Sequence, residues 1–312
     1  MDKLIGISDM NGVLVTDRIF KEINRFNEGF ALFTENGRFR FLERNSLTAG
    51  LEDYGYATDY FYGYAAVSKE VGGKTGFINS KSELKINYQF DGFARFTKDG
   101  IAVVRSQGKF GAINSNGDIC IPIKYNRMDP YSEGLSLVEI NRKCGYLNKE
   151  GDVVISAQWA NAQMFFDGIA VVINDSFKSG CIDVNGNVRV PLKYKHIGNM
   201  RSNRALFQRG KTYGFLDSDG NEIIPNKYKN VDEFSDGLAP VIEKDRWGYI
   251  NLNGDYVIEP KFDFALRFFK GFARVTYKGR QGLLNTNGDL ITFKQFQYMD
   301  YPSEGLVLVG LE

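Results

Sequence analysis

The sequence predicts an all-β chain of about nine tandem antiparallel β-meander repeats, three strands each, forming a single array over residues 1–312. Three observations carry that expectation. A Gly-x-x-[Asn/Asp]-x-x-Gly cassette recurs about every 35 residues from end to end. Short alternating apolar runs separated by Asn/Asp-Gly turns fill each period, as half-buried strands in a meander would. No repeat carries a run of helical periodicity.

The cassette reads Gly6-Ile-Ser-Asp9-Met-Asn-Gly12, then Gly111-Ala-Ile-Asn114-Ser-Asn-Gly117 and Gly145-Tyr-Leu-Asn148-Lys-Glu-Gly151. It continues from Gly180, Gly214, Gly248 and Gly282. Two worn copies, Arg40-Phe-Leu-Glu43-Arg-Asn-Ser46 and Gly76-Phe-Ile-Asn79-Ser-Lys-Ser82, complete a spacing of 34 to 36 residues throughout. Motifs present in every copy are structural by that fact, so function is sought in the deviations.

Within a repeat the elements follow in order. Leu238-Ala-Pro-Val-Ile-Glu-Lys244 alternates and is rich in strand formers; Trp247-Gly-Tyr-Ile-Asn251 is the second strand and Tyr256-Val-Ile-Glu259 the third. The turn between the last two has a mechanism. The Asx side chain accepts from the backbone two residues on, and the closing glycine supplies a left-handed position. After the third strand comes an aromatic at fixed phase: Phe20, Tyr54, Phe90, Tyr125, Trp159, Tyr194, Tyr228, Phe262 and Phe296. A second row is Phe26, Tyr60, Tyr131, Phe165, Phe234 and Phe268. Two aromatics per repeat at constant spacing are expected to cement neighbouring repeats, with a sugar-stacking ladder as the functional competitor.

Composition narrows the function classes. Apolar content of 43% suits a packed core, and a net charge of +1 lacks the basic footprint of a nucleic-acid binder. No apolar run reaches membrane-spanning length, and Met1-Asp-Lys-Leu-Ile-Gly6 has no signal-peptide core, so a soluble, cytoplasmic, monomeric protein is expected. Cys120, Cys144 and Cys181 fall in predicted strands and read as buried small hydrophobes in a reducing compartment. His196 is the only histidine, which leaves little for catalytic triads or multi-histidine metal sites; no cofactor, metal or catalytic residue is expected.

The composite around Arg246-Trp-Gly-Tyr-Ile-Asn251, Ile224-Pro-Asn-Lys-Tyr228 and Phe234-Ser-Asp-Gly-Leu-Ala239 resembles the WG (or KWG) repeat of bacterial proteins. The Trp of the Trp-Gly pair survives only at Trp247, with Ile5, Phe110, Cys144 or Tyr213 elsewhere. The resemblance implies an all-β binding or interaction module without common catalytic residues.

The ends bear on closure. Lys3-Leu-Ile-Gly6 matches a second strand with no first, and the last residues match a first strand with nothing after it. These complementary halves favour a closed propeller-like toroid over an open β-solenoid.

Three deviations are candidate sites. Carboxylates precede the turn glycine at Glu28, Asp99, Glu133, Asp167, Asp236 and Glu304; each is expected to accept N–H groups of its own turn, and an acid–base role is the alternative. The second repeat carries extra aromatics, Tyr56, Phe61 and Tyr62, at positions that are polar in sister repeats such as the one with Asn230, Ser235 and Asp236. The sixth replaces Phe-Ser-Asp-Gly with Met200-Arg201-Ser-Asn-Arg204, near Lys195 and His196, forming a basic patch. The expected function is recognition of another protein by a non-enzymatic scaffold, immunity-like or regulatory. Polysaccharide or cell-wall binding is the alternative, and an enzyme with a site in a central channel comes third.

Overall fold

A computed structural model describes residues 4–92, 94–292 and 295–311, and every regular element among them is a β-strand. The repeat begins at its turn. The Oδ1 of Asn251 accepts the N–H of Asn253 at 2.9 Å and of Asp255 at 3.0 Å, while Gly254 takes φ 89°. The same pair of bonds recurs at Asp9, Asn79, Asn114, Asn148, Asp183, Asp217 and Asn285. The side chain holds the chain end that the strands on either side need brought together, as the turn chemistry predicts.

Around this turn the strands pair in sequence. Ala239–Glu243 pairs antiparallel with Arg246–Ile250, which pairs with Tyr256–Phe262. The third strand is bulged: Trp247 faces Phe262 and Tyr249 faces Ile258, so four residues arch over two. The same arch lies opposite Gly111, Gly180 and Gly214, and it accommodates Pro122, Pro191 and Pro225, which have no N–H to give a ladder. It also explains the first cassette glycine. A Cβ on Gly214 would lie 2.5 Å from the Ile224 carbonyl oxygen, and one on Gly180 would lie 2.5 Å from that of Val190.

A fourth, short strand extends the meander. Tyr56–Ala57, Asn161–Ala162 and Phe264–Ala265 each pair with the first long strand of their repeat, and single bridges Ile23↔Phe33, Met128↔Val138, Ile197↔Phe207 and Val231↔Val241 take the same place elsewhere. Its signal is an apolar residue three positions after the first-row aromatic, at Ile23, Ala57, Met128, Ala162, Ile197, Val231 and Ala265. A two-residue strand is too short to show alternation, so periodicity alone passes over it.

The chain divides into two compact bodies. The first comprises Met1–Ile140, Tyr146–Val153 and Pro302–Glu312; the second comprises Asn141–Gly145 and Val154–Tyr301. In the first body, Leu4–Ser8 pairs antiparallel with Val307–Leu311, from Leu4↔Leu311 to Ser8↔Val307. The two half-meanders at the chain ends thus complete one another, as their sequences imply. Cores lie between successive sheets: Ala66, Phe77 and Ile86 pack with Phe96, Ala102 and Ile113 of the next repeat. In the second body Phe215 and Ile224 pack with Phe234, Val241 and Ile250 in the same way. The turn glycines complete the joint, with Gly254 seated on Ile224 and Gly186 on Ile155.

Both aromatic rows are in these cores. All six second-row rings are buried, as are Phe20, Tyr54, Phe90, Tyr125, Tyr194, Tyr228 and Phe262 of the first row. Phe215 and Phe234 meet edge-on at 4.7 Å and Tyr249 and Phe268 at 4.8 Å, so the rings act as cement between repeats. One expectation fails: Cys120 is exposed, whereas Cys144 and Cys181 are buried. Cys120 sits near the start of the strand Ile119–Tyr125, where the pattern leaves the first two residues outward and turns Ile121 in.

Candidate interaction surfaces

The turn carboxylates are tied between repeats and not within their own turns. Glu28 accepts the N–H of Tyr62 at 2.6 Å and of Gly63 at 2.8 Å, one repeat on. Asp236 accepts the N–H of Gly271 at 2.6 Å, Asp167 that of Asn203 at 3.3 Å, and Glu304 that of Gly29 at 3.1 Å. Asp99 instead accepts Lys149 Nζ at 2.7 Å. The cause lies in the turn's conformation. Tyr62 and Gly63 take φ 53° and 82°, a hairpin geometry in which both amides point out of the loop toward one acceptor. Glu28, Asp167, Asp236 and Glu304 therefore serve as struts to the next turn, and for them the expectation of self-capping is corrected.

That rule shows what the second repeat has changed. Tyr62 stands where the strut carboxylate belongs, and its side chain is 56% exposed. Phe61, half-buried beside it, forms one wall of an open hollow of about 370 Å³ with Arg95, Val103, Phe110, Met128 and Pro130. Arg95 lies over the Phe61 ring, its Cζ 5.2 Å from the centroid. Tyr56 is not part of this exposed cluster. It belongs to the short strand, meets Phe39 edge-on at 5.8 Å, and burial pushes its hydroxyl pKa up to about 12.

Sequence reasoning named Phe61 but missed the other walls. The available signal was spacing: Phe90 lies ten residues before Gly100, whereas its counterparts lie nine before theirs. The loop therefore holds one extra residue, and Arg95 is in it.

The second body carries the sixth-repeat cluster. Arg201 and Arg204 face each other across the turn Ser202-Asn203. Arg201 stacks on Phe166 with Cζ 3.7 Å from the ring and approaches Glu233 at 3.8 Å. Arg204 donates from Nε to the Leu252 carbonyl at 2.9 Å. Lys195 and His196 are exposed one element earlier, where the His196 carbonyl accepts the Gln208 N–H at 3.2 Å. Nearby Arg209 is paired with Glu222. Most of the patch's arginine charge is thus engaged by its own fold.

A second hollow in this body, about 420 Å³, has the polar walls Thr276, Arg280, Gln281, Thr292 and Gln297. Phe296 of the first aromatic row also lines it, and none of its polar walls was a sequence candidate.

The structure is similar to the crystal structure of a eukaryotic initiation factor at 9% identity and a TM-score of 0.60, covering 95% of this chain and 97% of the other. It also aligns with BamB from Moraxella catarrhalis at 9% identity and a TM-score of 0.47, over 93% and 96% of the two chains. The C-terminal WD40 domain of Sif2 aligns at 9% identity and a TM-score of 0.45, over 83% and 93%. At such identity likeness concerns the fold alone. No curated protein matches the sequence. The profile of the WG containing repeat matches residues 5–39, 76–110, 110–144, 145–176, 180–213, 213–246 and 247–280, and the chain belongs to that family.

Proposed function

We propose that this repeat scaffold is non-catalytic and recognises another protein, in an immunity-like or regulatory role. One observation carries the reading. Where the repeat's logic calls for a strut carboxylate, the second repeat presents exposed Tyr62 and, beside it, Phe61 at the mouth of an apolar hollow. Aromatic anchors next to a desolvated pocket are the features that concentrate binding energy at protein interfaces. Most of the repeated aromatics do not compete, because all six of the second row and seven of the nine of the first are buried and offer no stacking face to a sugar. The turn carboxylates that could have formed an acid–base pair are engaged by backbone amides, which supports a binding role over a catalytic one. Three free cysteines fit residence in a reducing compartment, and a cytoplasmic location is part of the proposal.

The test is affinity capture from a lysate of the source organism with the full chain, beside a Phe61→Ala/Tyr62→Ala variant and an Arg201→Ala/Arg204→Ala variant. The expected result is one stoichiometric protein held by the wild type and the arginine variant and lost from the aromatic one. Retention on glycan resin with no protein captured would overturn the reading in favour of polysaccharide binding.

A further inference from the structure

The hollow in the first body has a charge pattern as well as a shape. Two of its walls, Phe61 and Phe110, each carry a guanidinium on the ring face: Arg95 at 5.2 Å and Arg105 at 5.7 Å. Both arginines are exposed, and neither has a carboxylate within ion-pair distance among the described residues. The acidic groups nearest in sequence to the walls are already engaged. Asp59 accepts from the Asn24 amide at 3.0 Å, Asp129 from Arg127 at 3.0 Å, and Asp91 from Lys74 at 2.5 Å and the Gln107 N–H at 2.8 Å. Asp91 contributes only a longer-range field at Arg105.

Many other arginines of the described residues are ion-paired, among them Arg38 with Asp53, Arg40 with Glu35, Arg189 with Asp219 and Arg246 with Asp263. Here, by contrast, Arg95 lines the apolar hollow and Arg105 stacks on its wall residue Phe110, and neither guanidinium is compensated by a carboxylate among the described residues. Stacking holds each planar fork in place, so less conformational freedom is lost when it forms a bidentate pair with a carboxylate.

We propose that the hollow receives a large apolar side chain of a partner protein whose flanking residues are acidic, with the flanking carboxylates paired to Arg95 and Arg105. This rests on the scaffold reading above and specifies the chemistry of its partner. A volume of about 370 Å³ accommodates a leucine or phenylalanine side chain together with part of its backbone. Val103, Met128 and Pro130 supply its apolar walls without competing hydrogen-bond donors from their side chains. Acidic flanks on the partner also accelerate encounter with the two arginines at low salt.

The experiment is selection of a random displayed peptide library on the immobilised full chain, followed by titration of the winning synthetic peptides by fluorescence anisotropy. The expected winners carry Leu, Ile, Met or Phe with Asp or Glu within two residues. Their Kd rises at least tenfold, about 1.4 kcal/mol, in an Arg95→Glu/Arg105→Glu variant whose thermal midpoint matches the wild type. They also shift the methyl resonance of Met128, which is 4% exposed at the floor of the hollow. Winners without acidic residues, or a Kd indifferent to the charge reversal, overturn the inference. So does binding that requires a phosphorylated residue, since that partner has a different chemistry. Lysate capture separates the two levels. A partner lost with Phe61→Ala but held by the Arg95→Glu/Arg105→Glu variant sinks the acidic-flank inference and leaves the scaffold reading standing. A partner held by both variants removes the hollow from the function altogether.

Discussion

Replacing Gly214 with alanine tests the physical basis of the repeat. Gly214 has no left-handed φ, so an alanine there meets no intrinsic backbone penalty. The obstacle is contact: the new Cβ would lie 2.5 Å from the Ile224 oxygen, 2.7 Å from the Asn226 nitrogen and 2.8 Å from the Pro225 carbonyl carbon. All three are backbone atoms of the bulged third strand. Reaching ordinary contact distance requires that strand to move outward by most of an ångström, taking with it Ile224 and Tyr228, which are packed into the joint with the next repeat. Overpacking of this kind costs about 3 kcal/mol. For a chain of this size that lowers Tm by about 6 °C. Gly50→Ala is the control, because Gly50 also lacks a left-handed φ and its Cβ would touch only the Phe41 oxygen, at 3.7 Å. There the smaller entropy of the unfolded chain leaves stability unchanged or raises it by about 0.5 kcal/mol. The assay is thermal and urea unfolding followed by far-ultraviolet circular dichroism. Equal midpoints for the two variants would refute the claim that strand arching, rather than turn flexibility, demands this glycine.

Glu28→Ala removes a strut with two bonds to the turn at Tyr62 and Gly63. Because the site is exposed, the loss is about 1 kcal/mol, seen as a Tm lower by about 2 °C with faster amide exchange at Tyr62 and Gly63. Acid stability follows from the Asx turns. The Val13 N–H foremost holds the Asp9 carboxyl below its usual 3.8; at Asp183 and Asp217 partial desolvation opposes the shift but bonds from Asn187 and Asn221 outweigh it. A depressed folded pKa gives stabilisation that is present above about pH 4 and lost as pH falls through the folded value. Asp183→Asn/Asp217→Asn, which copies the asparagine of sister repeats, is therefore expected to flatten the midpoint-versus-pH curve below pH 4 and to lower the midpoint at pH 7 by the part of that stabilisation an uncharged acceptor does not supply. Thiol labelling is the last of these tests: native protein takes one maleimide, at exposed Cys120, and unfolded protein takes three. Burial pushes the Cys181 thiol up to about 12, so its labelling in the native state would signal local opening.

The fold was legible because its determinants are local and repeated. An Asx side chain, a left-handed glycine and a strand-length apolar run act within ten residues, and many copies of the pattern average away the noise of any one. What escaped was either too short or too distant. The two-residue outer strand has no period of its own, and its only trace is a single apolar position such as Ala57 or Ala265. The struts escaped because their partner lies about 35 residues on. Asp236 and the Gly271 amide are related by the fold, and the local sequence offered self-capping instead. The hollow beside Phe61 is assembled from Arg95, Phe110 and Pro130 of the repeats that follow, so reading the second repeat alone reached only one wall.

The strut positions also separate structural conservation of pattern from its use. In Glu28, Asp167, Asp236 and Glu304 the carboxylate is engaged by the following turn, so the residue is explained by the array itself. Tyr62, Ser202 and Lys270 occupy the same left-handed position, with φ of 53°, 53° and 51°. Only the side chain differs, because the turn conformation is set by the backbone and the glycine that follows. A tyrosine or lysine in a left-handed position is more costly than asparagine and far more so than glycine. At Tyr62 that cost comes without a strut in return, and the ring it carries stays more than half exposed beside the apolar hollow. Ser202 is different: its flanking Arg201 and Arg204 are absorbed by Phe166 and the Leu252 carbonyl, contacts that stiffen the turn in place of a strut. By this comparison the sixth-repeat substitutions have an account inside the fold. Tyr62 has no such account, and that asymmetry supports the proposal that the second repeat carries the partner-binding face.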